Sequence, residues 1–201
     1  NQAWSLPTAL NVCAELAAND LYWVEEPTQT DDVLAHRKIA RAIAPMHVAV
    51  GETISNRVLW KNFLEAEAVG VDALLLTVPA YNKPPQEGLY QHFKAIAEST
   101  SLPCLLYNVT SRTSLNMTDE TTIRLSHIDN IVGVKEAGSD LNQITRIIDG
   151  AGDGFRVWSG NDDETFSIMA TGGYGVVSVL SHLVGNQIKQ MMGYLLEGDR
   201  E

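Results

Sequence analysis

Asn130-Ile131-Val132-Gly133-Val134-Lys135-Glu136-Ala137-Gly138 is an apolar run with a single lysine in it. The run is rich in β-branched residues and lacks polar alternation, which is typical of a parallel strand buried on both faces. Lysine is seldom fully buried without a partner, and burial favours the neutral amine, which can attack a carbonyl group. The run therefore predicts a buried strand that ends in a candidate nucleophile, Lys135.

Two further side chains are expected beside Lys135. The preceding strand candidate contains Leu105-Leu106-Tyr107-Asn108, which brings a phenol to the same strand end, and Arg112 follows in the next loop. A lysine nucleophile, a tyrosine that carries protons and an arginine that binds a carboxylate suit Schiff-base chemistry on a keto acid. The alternative is a lysine that extends from the strand end into solvent. Tyr107 and Arg112 favour the catalytic interpretation.

Similar apolar runs alternate with amphipathic stretches along the chain. The seven complete strand candidates lie at 21–24, 47–50, 71–78, 102–109, 131–135, 155–159 and 175–180. This alternation predicts an α/β protein with a parallel sheet, and the leading architecture is a TIM-type (β/α)8 barrel formed by residues 1–201 as a single domain. An eighth strand would end near Asn1. A doubly wound sheet is the alternative, but no G-x-G-x-x-G follows the first strand.

Composition narrows the functional classes. The formal net charge of −11 argues against nucleic acid and anionic membranes as partners, because both favour basic surfaces. The first residues lack the basic segment and apolar core of a signal peptide. Cys13 and Cys104 fit no metal-ligand spacing, and we expect them to be core thiols in a reducing compartment. The cytoplasm is the expected location.

Four stretches after residue 70 resemble one enzyme family. They are Tyr81-Asn82-Lys83-Pro84-Pro85-Gln86-Glu87-Gly88-Leu89-Tyr90, Leu106-Tyr107-Asn108-Val109-Thr110-Ser111-Arg112-Thr113, Gly133-Val134-Lys135-Glu136-Ala137 and Ser159-Gly160-Asn161-Asp162. Together they are similar to dihydrodipicolinate synthase and its relatives in the N-acetylneuraminate lyase family, and the resemblance covers roughly two thirds of the chain.

The resemblance implies a carbon–carbon or carbon–oxygen lyase that joins pyruvate, or another 2-keto acid, to an aldehyde through a lysine imine and needs no cofactor. It implies that Lys135 forms the imine, that Tyr107 relays protons and that Arg112 holds the carboxylate of the aldehyde. Tyr81 matches a tyrosine that the family lends across a subunit interface. A homo-oligomer with small-molecule substrates is therefore expected.

The first part of the chain resembles a different family. Trp23-Val24-Glu25-Glu26-Pro27-Thr28 and Val50-Gly51-Glu52 are similar to metal-ligand strands of the acid-sugar dehydratases in the enolase superfamily, the L-fuconate dehydratases in particular. That resemblance implies Glu25 and Glu52 as ligands of Mg²⁺, a hard cation that prefers oxygen. The first metal-binding aspartate of that family is absent from this sequence. Its Lys-x-Lys pair of catalytic bases and its His-Asp pair are absent too. The alternative is that Glu25 and Glu52 are carboxylates left at a barrel mouth.

The chain thus combines dehydratase-like βα units at 1–68 with lyase-like units at 69–201, as in a chimera or a rearranged fragment. Three functions remain open: the Schiff-base lyase, a magnesium-dependent acid-sugar dehydratase, and a hybrid barrel without catalysis. The last is favoured by the absence of the lyase family's threonine-containing loop and by Ala80, where a second tyrosine is usual.

Overall fold

A computed structural model describes residues 2–54, 57–69 and 72–198 of the chain. The chain folds into two compact units, residues 1–71 and 72–201. Each unit is an alternation of strands and helices, and every strand pair within it is parallel. The predicted α/β class and parallel pairing are therefore confirmed.

The first unit contains a two-stranded sheet. Its elements are α1 (Leu6–Ala17), β1 (Trp23–Glu25), α2 (Val33–Ile43), β2 (His47–Ala49) and α3 (Arg57–Glu65). Helix α2 begins at a cap in which the Asp32 carboxylate accepts a hydrogen bond of 2.9 Å from the backbone N–H of Ala35. Its apolar side packs on α1 and β2, where Ile39 and Cys13 are fully buried.

The second unit contains a five-stranded sheet in the order β3-β4-β5-β6-β7. Its elements are β3 (Leu74–Thr77), α4 (Gln86–Glu98), β4 (Cys104–Asn108), α5 (Thr110–Thr113), α6 (Asp119–Ser126), β5 (Ile131–Glu136), α7 (Leu141–Gly150), β6 (Arg156–Ser159), a 3-10 turn (Asp162–Glu164), α8 (Thr165–Ala170), β7 (Gly175–Val176) and α9 (Ser181–Glu197). Sequence order equals spatial order, so the helices between two strands connect neighbouring strands, and α9 follows β7.

The two faces of this sheet differ in burial. Helices cover one face, where Leu106, Val134 and Val157 belong to a continuous apolar core. Side chains of the other face are partly buried or exposed, and we call it the open face. It carries Leu75, Thr77, Leu105, Tyr107, Lys135 and Trp158. Polar groups that react with small molecules can therefore lie on the open face without entering the core.

All seven predicted strands are present, and all but β5 are shorter than expected. Strand β7 ends at Val176 instead of residue 180, because the Asp162 carboxylate accepts the backbone N–H groups of Val179 and Leu180, each at 3.0 Å. Those donors are consequently not used in the sheet. The eighth strand, expected to end near Asn1, falls outside the described residues.

Cys13 and Cys104 are both buried free thiols, as predicted. Burial raises the pKa of each thiol, so little of the reactive thiolate is present at neutral pH. Among the described helices, none is long and apolar enough to cross a membrane.

Candidate active site

The site is built by strand register. In the second unit Thr77 pairs with Tyr107, Tyr107 with Lys135, and Lys135 with Trp158. Partners in a parallel ladder point to the same side of the sheet, so these four side chains form a row across the open face near the carboxyl ends of β3 to β6. The carboxyl ends of parallel strands are where α/β proteins place their ligands.

Lys135 and Tyr107 are in direct contact. The Nζ atom of Lys135 lies over the Tyr107 ring, 4.1 Å from the ring centroid, and both side chains are half-buried. The lysine thus lies along the sheet instead of extending straight into solvent. A neighbouring phenol is the kind of group that can take or return a proton when an amine reacts.

Glycines make room for the large side chains of the row. A Cβ atom at Gly160 would lie 3.3 Å from Cε of Lys135 and 2.9 Å from Cβ of Ala137. A Cβ at Gly133 would overlap the indole of Trp158, which therefore lies against the strand that carries Lys135. The sequence did not predict Thr77 or Trp158 as site residues. Thr77 is the last residue of β3, and Trp158 is one residue before the end of β6.

The other predicted residues lie near the same sheet edge. Arg112 belongs to the one-turn helix α5 directly after β4, rather than to a loop, and it is exposed. Its guanidinium makes no hydrogen bond or ion pair within the described ranges. Tyr81 follows β3 and is 99% exposed. Neither side chain touches Lys135 in an interaction that the described residues show, so their expected roles require a substrate or a second subunit.

A carboxyl group that sequence reasoning did not single out lies on the opposite side of β5. Glu136 is fully buried beneath the helices. Its Oε1 atom accepts hydrogen bonds from the Asn108 side chain at 3.0 Å and from the backbone N–H of Gly138 at 2.7 Å. Oε2 accepts a second contact from the same Asn108 amide at 3.2 Å. All of these donors are neutral.

Burial raises the pKa of Glu136 to about 7. The hydrogen bonds from Asn108 and Gly138 oppose this shift, while the negative charge of Glu164 adds to it. A buried carboxylate without a cationic partner is costly, and it takes up a proton more readily than an exposed one. The charge of Glu136 therefore changes near neutral pH.

The first unit places its carboxylates differently from the expectation. Glu25 ends β1 and Glu52 follows β2, and both are exposed. The neighbouring Glu26 is the buried one, and it accepts hydrogen bonds from Gly51, Thr53 and Gln2 at 3.0–3.3 Å. Burial acts to raise the pKa of Glu26, but these hydrogen bonds outweigh it and lower the pKa overall.

No group of three or more His, Cys, Asp or Glu side chains within residues 2–54, 57–69 and 72–198 is arranged to hold a metal ion. In the described part of the chain, Glu25 and Glu52 therefore do not belong to a group of three such candidate ligands.

Comparison with known families agrees with the geometry of the second unit. A family model described as the dihydrodipicolinate synthetase family matches residues 46–201. The chain belongs to this family. The match begins at residue 46, earlier than the expected position near 70, and so includes β2 and α3. A second model, described as enolase C-terminal domain-like, matches residues 1–77. Both resemblances predicted from the sequence are confirmed, and the two matches overlap.

Curated relatives of this dihydrodipicolinate synthetase family member carry the name 4-hydroxy-tetrahydrodipicolinate synthase. The enzyme of Dehalococcoides mccartyi strain BAV1 is 60% identical over 141 residues, which cover 70% of this chain and 48% of that enzyme. The enzyme of Moorella thermoacetica is 46% identical over 179 residues, which cover 87% of this chain and 61% of that enzyme. The chain spans about half the length of the first of these relatives.

Solved structures of the family share the fold. Dihydrodipicolinate synthase from Bacillus anthracis matches with a TM-score of 0.76 and 37% identity, over 97% of this chain and 70% of that chain. The Acinetobacter baumannii enzyme, solved in complex with pyruvate, matches with a TM-score of 0.75 and 29% identity, over 97% of this chain and 71% of that chain.

Proposed function

We propose that this chain carries the Schiff-base site of a pyruvate-dependent lyase or synthase of the dihydrodipicolinate synthase type. The observation that supports this most directly is the contact between Lys135 and Tyr107, 4.1 Å from Nζ to ring centroid, on paired strands of the open face. A primary amine beside a phenol, at the carboxyl edge of a parallel sheet, suits imine chemistry on a 2-keto acid.

The proposed reaction begins with the neutral amine of Lys135. Nζ attacks the C2 carbonyl carbon of pyruvate to form a carbinolamine, which loses water to give the iminium ion. Loss of a proton from C3 gives an enamine, whose carbon attacks the aldehyde and forms the new carbon–carbon bond. Hydrolysis of the resulting imine releases the product and regenerates the lysine. Covalent catalysis of this kind divides one difficult step into several easier ones.

The remaining side chains have roles that the family resemblance implies. Tyr107 donates and accepts protons at the carbinolamine and enamine stages. Arg112, exposed and unpaired within the described ranges, binds the carboxylate of the aldehyde. Tyr81, fully accessible to another subunit, contributes across the interface of a homo-oligomer. One matched structure is described as a monomeric dihydrodipicolinate synthase variant, so the oligomeric state of this chain requires its own measurement.

We also propose a TIM-type (β/α)8 barrel with seven full strands and the end of an eighth, formed by residues 1–201 as one domain, with dehydratase-like units at 1–68 and lyase-like units at 69–201. The support is the strand–helix alternation and the likeness to solved dihydrodipicolinate synthases over 97% of the chain. We propose the cytoplasm as the location because Cys13 and Cys104 are buried free thiols that suit a reducing compartment.

Borohydride trapping tests the proposal. The protein is incubated with pyruvate and sodium borohydride, digested and examined by mass spectrometry. We expect one reduced pyruvate adduct on the peptide that contains Lys135. Lys135→Arg keeps a cation on the open face but removes the nucleophile, so it should give no adduct.

Lys189→Arg is the matched control because Lys189 lies on α9 of the same unit, outside the row of side chains on the open face. It should be trapped as fast as the parent protein. An adduct spread over several lysines, or none at saturating pyruvate between pH 6 and 9, would contradict the proposed function.

A further inference from the structure

Glu136 joins the two strands whose ends carry the proposed reacting pair. Lys135 and Glu136 are consecutive in β5 and point to opposite sides of the sheet, and Tyr107 and Asn108 have the same relation in β4. On the helix-covered side, Asn108 donates to both oxygens of Glu136, at 3.0 and 3.2 Å. On the open side, one residue earlier in each strand, Lys135 lies over Tyr107.

The link is tied into a larger buried network. The Asn108 amide also donates to Oδ1 of Asn116 at 2.8 Å, and Oδ1 of Asn108 accepts the backbone N–H of Met117 at 3.1 Å. Gln143 of α7 accepts a hydrogen bond of 2.8 Å from Asn116. The strand end is thus held by the segment before α6 and by α7, which leaves Asn108 little freedom to turn.

We propose that Glu136 is a positioning residue, whose carboxyl group fixes the ends of β4 and β5 and so holds the Lys135 amine against Tyr107. The proposal deepens the proposed function and rests on it for its catalytic meaning. The effect of Glu136 on the Lys135–Tyr107 contact does not depend on the proposed reaction and can be measured without it.

A backbone hydrogen bond and the Glu136 carboxyl together hold the two strands where they end. Backbone pairing joins β4 to β5 through Asn108 and Glu136, and the N–H of Ala137 donates to the carbonyl of Asn108 at 2.9 Å. Beyond that bond the chain continues into α5 after β4 and into the loop before α7 after β5. At that point the Glu136 carboxyl holds Asn108 on one side and the Gly138 N–H, at 2.7 Å, on the other. A displacement of about 1 Å at reacting groups can lower a rate on the order of 100-fold.

Four variants test the role. Glu136→Ala removes the acceptor from Asn108 and Gly138. Glu136→Gln keeps a carbonyl oxygen for both donors, and Glu136→Asp keeps the carboxylate but shortens its reach by one methylene. The matched control is Asn130→Ala. Asn130 precedes β5 and donates to the carbonyls of Ala97 in α4 and of Thr100 and Leu102 before β4, at 2.9–3.2 Å, so it links the segments that lead into the same two strands.

Two readouts are needed. The first is the rate of borohydride trapping with pyruvate, measured over a range of pyruvate concentrations so that maximal rate and half-saturation separate. The second readout needs no reaction with pyruvate. It is the upfield ring-current shift that the Tyr107 ring causes in the ε-methylene protons of Lys135. The shift is measured by NMR on protein labelled with ¹³C-lysine, and the signal is assigned by its loss in Lys135→Arg.

We expect Glu136→Ala to lose the ring-current shift and to be trapped 10- to 100-fold more slowly at saturating pyruvate. Glu136→Gln should stay within about threefold of the parent, and Glu136→Asp should fall between them. Asn130→Ala should lose stability but keep both the shift and the trapping rate. If Glu136→Ala does not fold, Glu136→Asp is compared with Glu136→Gln, and Glu136→Asp should show the smaller ring-current shift and the slower trapping.

A Glu136→Ala protein that keeps the ring-current shift overturns the proposal, and so does a Glu136→Gln protein that behaves like Glu136→Ala. An equal loss of shift in Asn130→Ala also overturns it. A parent protein that is never trapped by pyruvate refutes the proposed function instead, and the ring-current shift then still decides whether Glu136 holds the pair together.

Discussion

The Nζ atom of Lys135 contacts the face of the Tyr107 ring, 4.1 Å from its centroid, and no hydrogen bond between that amine and the Tyr107 hydroxyl is present among the described residues. The ring and the hydroxyl therefore have separable tasks. The ring face attracts the ammonium ion, which is worth about 0.5–1 kcal/mol at a partly exposed site. The hydroxyl is available for proton transfer.

Tyr107→Phe separates those two tasks. The ring face remains, so we expect the melting temperature and the ring-current shift of Lys135 to stay close to those of the parent. Loss of the hydroxyl should slow pyruvate trapping by about 10²–10⁴-fold, the usual contribution of a general acid–base group. Tyr107→Leu should lose both the shift and the rate. Parent-like trapping in Tyr107→Phe would show that this hydroxyl does not carry the proton.

Arg112 gives a prediction about the second substrate. Pyruvate trapping in Arg112→Ala should match the parent, because Arg112 is proposed to bind only the aldehyde. Consumption of succinic semialdehyde, which carries a carboxylate, should require a 10- to 100-fold higher concentration, as expected for a lost charged hydrogen bond of about 1.5–3 kcal/mol. Butanal, an uncharged aldehyde, is the control. Equal effects on both aldehydes would rule out carboxylate recognition by Arg112.

The stability of the protein should depend on the ionisation of Glu136. Burial raises its pKa from an ordinary 4.5 to about 7, so the folded state holds this proton more tightly than the unfolded state. The associated stability is fully present below pH 4.5 and is lost as pH rises through about 7. The loss is on the order of 3 kcal/mol. Urea unfolding at a series of pH values between 4 and 8 measures it.

Glu136→Gln should remove this pH dependence because an amide does not titrate in that range. Glu164→Gln should make it smaller, since the negative charge of Glu164 contributes to the raised pKa of Glu136. An unfolding free energy with the same pH slope in the parent and Glu136→Gln would show that another group is responsible.

Gly133 is predicted to be intolerant of any side chain. A Cβ atom there would overlap the carbonyl oxygen of Arg156 and the indole of Trp158. We expect Gly133→Ala to lower the free energy of unfolding by about 1–3 kcal/mol or more, as other overpacked sites do. Gly193→Ala is the control: it lies in α9 with nothing within 4 Å of the new Cβ, and should stabilise by up to about 1 kcal/mol.

Asp162 should stabilise the protein in a different pH range. Burial acts to raise its pKa, but hydrogen bonds from the Ser178 hydroxyl and the N–H groups of Leu180 and Val179 outweigh burial and lower it below 3.8. Its contribution is present above that pH and is lost as pH falls through the lowered pKa. Asp162→Ala should cost about 1–3 kcal/mol at pH 7.

Asp163→Ala is the matched control for that substitution. Asp163 is the next residue in the chain and is exposed, and it accepts none of these hydrogen bonds. Its replacement should change the free energy of unfolding by less than about 0.5 kcal/mol at the same pH. Equal losses in the two variants would place the stabilising interaction elsewhere in the turn.

The sequence predicted the strands of the site because each is a short apolar run with turn or cap residues around it. Lys135 and Tyr107 were expected at neighbouring strand ends, and the structure brings them into contact. Thr77 and Trp158 were not anticipated, because their alignment with that pair depends on strand register. Register is set by pairing across the sheet and cannot be derived from one strand alone.

Glu136 was missed for a related reason. A glutamate at the end of an apolar run usually indicates a strand that emerges into solvent, and local sequence gives no sign of what covers it. Here the side chain that bonds Glu136 is Asn108 of the neighbouring strand, and Asn108 is bonded in turn to Asn116 and Met117, which lie before α6. The shortened β7 has a similar origin, since Asp162 takes the N–H groups of Val179 and Leu180 from outside the strand.

The alternation of Lys135 and Glu136 on β5 has a consequence for laboratory evolution. Lys135 on the open face, where the proposed substrate would bind, and Glu136 on the helix-covered face are consecutive in the chain yet lie on opposite sides of the sheet. A mutant library restricted to Leu75, Thr77, Leu105 and Trp158 would vary side chains of the open face around Lys135. It would leave every residue that hydrogen-bonds in the Asn108–Glu136 network unchanged. New substrate preferences can then be selected without re-optimising the core in each round.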